Sequence, residues 1–184
     1  MTDPRLFPSN GRVAHTSLHG TVDAEHFTNG KVARVSTPRT DILDTKGGSR
    51  QRELLLGASF TVLEDRDGLS FGIAKRDGYV GYVDSAHLRF EAPPPTHWIR
   101  SIRSYAKQVP DLKDTGPVVD LSFGSKVHVT ATHGQWAEIM VQGRVVFMPL
   151  AHLWPKDKTC TDPVSVARLF LGTPYLWGGN SGFG

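Results

Sequence analysis

The segment Gly78–Leu88, G-Y-V-G-Y-V-D-S-A-H-L, aligns without gaps on Gly143–Leu153, G-R-V-V-F-M-P-L-A-H-L, at an offset of 65 residues. The register pairs Gly78 with Gly143, Tyr82 with Phe147 and His87 with His152, and upstream it sets Phe71 against Trp136. A shared turn glycine, matched aromatics and a common Ala-His-Leu imply duplication of one fold. A chain of 184 residues has room for two such units, each near the length at which a small domain can bury a core.

The texture around each copy is that of short strands. K-V-A-R-V-S, S-F-T-V-L-E, S-F-G-I-A-K and Y-V-G-Y-V-D are β-rich runs separated by T-K-G-G, D-R-D-G and K-R-D-G. An Asp-Gly between two such runs is a strong hairpin signal, and K-R-D-G is read as such a turn. Beyond E-A-P-P-P-T the pattern returns in H-W-I-R-S-I-R-S-Y-A, S-K-V-H-V-T-A, Q-W-A-E-I-M-V and R-V-V-F-M, with turns at T-H-G-Q and V-Q-G-R. Three prolines, Pro93 to Pro95, cannot sit inside a sheet and mark a boundary. The expected organisation is an irregular arm over residues 1–30, a first β unit over 31–90, a linker over 91–96, a second unit over 97–155 and a C-terminal segment over 156–184.

Charge and composition narrow the function classes. Residues are 39% hydrophobic and 21% charged, which is ordinary for a folded soluble chain, and the net charge of +3 is spread among acids and bases. Strands without Arg and Lys interleaved beside aromatics argue against nucleic acid as a partner. No stretch approaches the roughly 18 apolar residues of a membrane span, and the N-terminus lacks an apolar leader core, so no membrane partner and a cytoplasmic setting are expected. One cysteine excludes an internal disulfide framework.

Asp162 to Gly184 reads D-P-V-S-V-A-R-L-F-L-G-T-P-Y-L-W-G-G-N-S-G-F-G. Asp162 suits an N-cap and Pro163 a first helical position, Val164, Val166, Ala167 and Leu171 can share an apolar face, and Gly172 can close a short helix. L-G-T-P-Y-L-W-G-G-N-S resembles the entry to the catalytic domain of the NlpC-type, papain-like cysteine peptidases that cut bacterial cell-wall peptides. In that family an Asp-Cys-Ser-Gly follows, whose cysteine is the nucleophile at a helix start. The sequence stops at Gly184 before such a motif, so the chain alone is expected to be inactive and to need the remaining catalytic domain, from the same parent chain or a second fragment. R-L-F-P-S-N-G-R-V-A-H near the start is similar to the N-terminus of signal-less members of that family. F-G-I-A-K-R-D-G-Y-V-G-Y-V-D-S-A-H-L resembles the bacterial SH3-like domain. The expected fold is therefore mainly β: two tandem SH3-like small barrels, then a helix and Gly-rich loop that begin a truncated papain-like α+β domain, an architecture similar to dipeptidyl-peptidase VI-like enzymes.

The resemblance implies a γ-D-glutamyl endopeptidase acting on peptides that begin with a free L-Ala followed by γ-D-Glu, with the first barrel closing the far end of the groove on the substrate amine. No cofactor or metal is implied. Capture of an ammonium calls for a carboxylate with an aromatic or hydroxyl neighbour. Tyr79 and Tyr82 are the hydroxyl candidates in the first unit, whereas Arg144 and Phe147 at the matching positions cannot do that task, so the second unit reads as scaffold. Glu53 is the carboxylate candidate, with Asp44, Glu64 and Asp84 equally available by spacing. Tyr175 and Trp177 match the peptidase motif and are implied to line the floor beside the cysteine. A second class remains open: a binding module that takes wall peptide or a protein partner without chemistry. Ordinary readings cover the other reactive residues. His15 and His19 lack a third ligand nearby, Cys160 lies before the helix cap with no base, His87 and His152 recur as turn contacts, and His133 sits in a solvated hairpin turn.

Overall fold

The computed structural model describes residues 3–184. Strands hold 43% of the chain and helices 10%, so it is mainly β. It divides into two compact units: one takes the residues through Val35, Arg39–Leu54 and Ala58–Ala92, the other Ser36–Pro38, Leu55–Gly57 and Pro93–Gly184.

The first unit begins with a single 3-10 turn, Pro4–Leu6, in which the Arg5 N–H donates to the Asp3 carboxylate at 3.0 Å. Two three-residue strands, β1 (Val13–His15) and β2 (His26–Thr28), then pair in parallel, so the arm is more regular than its sequence suggests. The following strands are β3 (Lys31–Val35), β4 (Arg39–Leu43), β5 (Arg50–Leu55), β6 (Ser59–Arg66), β7 (Leu69–Ala74), β8 (Val80–Asp84) and β9 (Leu88–Phe90). They form one sheet in the order β5-β4-β8-β7-β6-β3-β9. Alternation puts Val35, Ile42, Phe60, Val62 and Val83 on one face as the main core. A smaller cluster of Val13, Leu63, Phe71 and Val80 lies on the other face, under the arm.

The second unit holds β10 (His97–Ile99), β11 (Arg103–Lys107), β12 (Val118–Ser122), β13 (Lys126–Val127), β14 (Ala131–His133), β15 (Trp136–Val141), β16 (Arg144–Pro149) and β17 (Leu153–Pro155). Its sheets run β12-β11-β16-β15-β14 and β13-β10-β17. Ile99, Leu121, Ile139 and Met148 are fully enclosed between them. Lys107 is also buried, and its ammonium donates to the carbonyls of Asp111, Leu112 and Asp114 at 3.2, 3.2 and 2.5 Å, which holds the connection into β12. After β17, α1 (Pro163–Arg168) starts as its sequence predicts, with the Asp162 carboxylate accepting from the N–H groups of Val164 and Ser165 at 3.0 and 3.1 Å. Phe170 then packs edge-on against Phe123, and the Gly182 amide donates to the Ser122 hydroxyl at 2.8 Å. Leu169, Leu171, Tyr175 and Trp177 remain exposed. Among the described residues no helix is long and apolar enough to cross a membrane.

Hairpin chemistry departs from the sequence reading at one turn. Asp67-Gly68 and Gln142-Gly143 are two-residue loops with both residues at positive φ, the type I′ geometry that matches strand twist. Asp77-Gly78, expected to be the tight turn, lies instead in the longer connection Lys75–Tyr79. The consequence is a register correction. Tyr82 faces Phe71 across β7 and β8, while its counterpart Phe147 faces Glu138 across β15 and β16. Phe71 therefore corresponds to Glu138, and Trp136 to Leu69; the offset is 65 after the turn and 67 before it. The histidine turns repeat as the sequence implies. His87 Nδ1 is 2.8 Å from Thr40 Oγ1 and His152 Nδ1 is 2.9 Å from Ser104 Oγ, so each imidazole ties its 3-10 turn to the strand beneath. His133, read as solvated, also reaches Glu138 at 2.9 Å.

Gly81 has no room for a side chain. A Cβ there would sit 2.3 Å from the Leu43 carbonyl oxygen and 2.6 Å from Ile42 Cγ2. Gly81→Val, which installs the residue found at the matching Val146, is expected to destabilise the first unit by about 3 kcal/mol through overpacking against backbone. A denaturant midpoint equal to that of the parent chain would contradict this.

Candidate functional site

The site is built on the arm-facing side of the first sheet, and a bulge decides what stands there. On β6, Val62 pairs with Gly72 but Glu64 pairs with Phe71, leaving Leu63 as an extra residue. Without the bulge, Val62 and Glu64 would share the core face. With it, Val62 stays in the main core and Glu64 moves to the opposite face. Pairing then lines up Leu43, Tyr82, Phe71 and Glu64 across β4, β8, β7 and β6. Phe71 and Tyr82 stack with centroids 5.1 Å apart.

Tyr82, Phe71 and Glu64 of this row floor a cavity of about 1060 Å³, walled by the arm from Asp3 to Arg12 on one side and by Asp44, Thr45, Lys46 and Gln51 on another. The arm is fastened through Glu64. Arg12 donates to both its oxygens, Nε to Oε1 at 3.0 Å and Nη2 to Oε2 at 2.6 Å, and Asn10 Nδ2 adds a third bond at 2.9 Å. The Arg12 hydrogen bonds, with that of Asn10, hold the Glu64 carboxyl below the usual carboxylate range against a smaller opposing effect of burial. The Arg12 guanidinium is pushed up by Glu64, with a smaller contribution from Tyr82.

Asp44 differs. Its Oδ1 accepts from the Ser49 N–H at 2.9 Å and from Thr45 Oγ1 at 3.3 Å and its Oδ2 from Gln51 Nε2 at 3.3 Å, so all its donors are neutral, and among the described residues no cation pairs with it. The T-K-G-G turn makes this possible, because a Cβ on Gly48 would fall 2.0 Å from Asp44 Oδ1. The cavity thus offers an aromatic hydroxyl, an apolar floor and a carboxylate available to a cation. Among the described residues no group of three His, Cys, Asp or Glu side chains could hold a metal ion.

The residues singled out from sequence do not gather at one place. Tyr82 lies in the cavity. Tyr79 does not line it; its ring is flanked by the guanidinium groups of Arg5 and Arg52 at 5.6 and 5.7 Å, and Arg52 is tied to Asp77 at 2.8 Å. Glu53 is buried within β5, away from the cavity lining. Tyr175 and Trp177 belong to the second unit's C-terminal segment and are 87% and 58% exposed. Arg12 and Asn10 carried no sequence signal, because nothing in an irregular arm tells which strand residue it will meet. Glu64 and Asp44 were available by spacing, yet only the bulge and the glycine turn separate them.

Residues 44–88 match the family model of the bacterial dipeptidyl-peptidase SH3 domain. No curated protein gives a significant match. Among solved structures, the chain is similar to an NlpC/P60 family protein from Bacillus cereus ATCC 10987, with 12% identity, a TM-score of 0.65 and coverage of 84% of this chain and 68% of that one. NlpC2 and NlpC1 from Trichomonas vaginalis align at 12% identity with TM-scores of 0.29 and 0.30; 78% and 88% of this chain covers 56% and 53% of theirs. Residues 44–88 of the first unit are thus similar to an SH3 domain of the bacterial dipeptidyl-peptidase type, in a chain whose fold resembles that of an NlpC/P60 family protein.

Proposed function

We propose that the chain is the SH3-like region of a γ-D-glutamyl-L-diamino-acid endopeptidase that hydrolyses cell-wall peptides such as L-Ala-γ-D-Glu-diamino acid, and that its first unit gates the substrate. In this reading the ammonium of a free N-terminal L-Ala sits beside Asp44 and the Tyr82 hydroxyl, against the Phe71 ring. The thiol nucleophile and its base belong to the remaining catalytic domain, which covers the exposed Leu169, Tyr175 and Trp177. The observation that carries the proposal is a cavity lined jointly by the arm and the SH3-matched segment, in which Asp44, paired with no cation among the described residues, shares the lining with Phe71 and Tyr82. Glu64 is already saturated by Arg12 and Asn10, so it serves as the anchor of the arm.

Calorimetry with L-Ala-γ-D-Glu-diaminopimelate and its N-acetyl derivative tests the assignment. Acetylation and Asp44→Asn should each weaken binding roughly tenfold or more, the loss expected for a charge-assisted hydrogen bond. Tyr82→Phe should cost less, on the order of fivefold, for a neutral hydroxyl. Equal affinity for the two peptides would overturn ammonium recognition and leave the chain as a module for another partner.

The arm wall should respond to acid. A carboxyl whose folded pKa is depressed contributes stability above its unfolded value of about 4.3 and loses that contribution as pH falls through the folded value. Hydrogen-exchange protection of the Val13 and His15 amides should therefore drop below about pH 4 in the parent chain. In Glu64→Gln it should be lower at neutral pH and insensitive to acid; an unchanged acid response in that variant would show that another group holds the arm.

A further inference from the structure

The second unit has a charged face that the peptide-gating role does not use. In the three-stranded sheet, register places Lys126, Trp98 and Trp154 in one row across β13, β10 and β17. The partners of alternation, Val127, Ile99 and Leu153, are buried, so this row faces outward. Arg100 and Lys158 lie over the Trp154 ring at 4.8 and 4.2 Å, and Lys156 extends the ladder by donating its amide to the Thr96 carbonyl at 2.9 Å. All four cations are exposed. Among the described residues none of them is within ion-pair distance of a carboxylate, whereas Arg5, Arg12, Arg50 and Arg52 of the first unit each pair at 2.6 to 2.8 Å.

We infer that this face is a docking surface for an acidic peptide segment of a partner protein. Four uncompensated cations framing two half-buried tryptophans are complementary to carboxylates flanking an apolar side chain. Cation–π contact fixes Arg100 and Lys158 over the indole, so less side-chain freedom is lost when an anion arrives. This row does set Arg and Lys beside aromatics, contrary to the expectation from sequence, but the same contact argues against a nucleic acid. Arg100 and Lys158 occupy the Trp154 ring, Trp98 packs edge-on against Trp154 and Phe123 at 5.3 and 5.4 Å, and its Nε1 donates to the Lys158 carbonyl at 2.7 Å, which leaves no indole free for base stacking. The spacing also suits a peptide: neighbouring strands lie about 4.8 Å apart and same-side residues of an extended chain about 7 Å apart, so consecutive outward carboxylates can reach different cations.

A fluorescein-labelled oligoglutamate peptide, titrated with the full chain at low salt and followed by anisotropy, reads the inference directly. Saturable binding should weaken on the order of tenfold in the double variant Arg100→Glu, Lys126→Glu, and less in Lys156→Gln, with retained circular dichroism as the folding control. Rising salt should weaken it further, and an oligolysine peptide should not bind. Absence of saturable binding at low salt, or binding that the variants leave unmoved, overturns the inference. Tighter binding of a single-stranded DNA oligomer through the same residues would replace the acidic peptide with a nucleic acid.

Discussion

One extra residue in β6 decides the character of the first unit. Strand side chains alternate with a period of two, so the insertion of Leu63 reverses the facing of everything after it. Val62 remains in the core, and Glu64 emerges on the arm side beside Phe71. A carboxylate that would have been buried without a partner instead meets Arg12 and Asn10 from a segment more than fifty residues earlier. The cavity needs that arm for a wall, and the arm needs Glu64 for a fastening. Leu63 and Val13 add an apolar contact at the same place, so charge and packing hold the same junction.

The second unit shows what the same framework does without those features. Phe147 takes the place of Tyr82, Glu138 that of Phe71 and Ala131 that of Glu64, as the hairpin registers require. The row keeps its geometry and loses its pattern of hydroxyl, ring and anchored carboxylate. Glu138 is spent on Thr130 and His133, and hydrogen bonds from these two hold its carboxyl low. What persists in both copies is the imidazole-to-hydroxyl tie beneath the 3-10 turn. That tie serves folding, and it accounts for the shared Ala-His-Leu beside a row whose other members differ.

The fold was largely legible because its signals are local. Strand alternation and the Asp162-Pro163 helix start each act within a few residues, and the duplication reinforced them. The site was less legible because it depends on distant pairings. Tyr82 could be named from its strand and its mismatch with Phe147. Glu53 stands on a strand of the same unit, but β5 turns it into the interior. Tyr79 looked like the twin of Tyr82, yet three positions apart the two fall on opposite faces, and Tyr79 packs against the main core between two guanidinium groups. The longer Lys75–Tyr79 connection explains the misjudged partner of Phe71: an ungapped alignment is valid only up to the first turn whose length differs.

Charge is distributed between the units by function of place more than by count. A net charge of +3 looks unremarkable in the sequence, since acids and bases are interspersed. Folding separates them. In the first unit Arg5 and Arg12 of the cavity wall are paired with Asp3 and Glu64, while Asp44 in the same lining pairs with no cation among the described residues. In the second unit strand register sets Lys126 beside two tryptophans, and Arg100 and Lys158 reach the same face over the Trp154 ring. Interspersed charges in a chain with a two-residue period can thus produce a paired surface on one unit and an unpaired one on the next, and only the register says which.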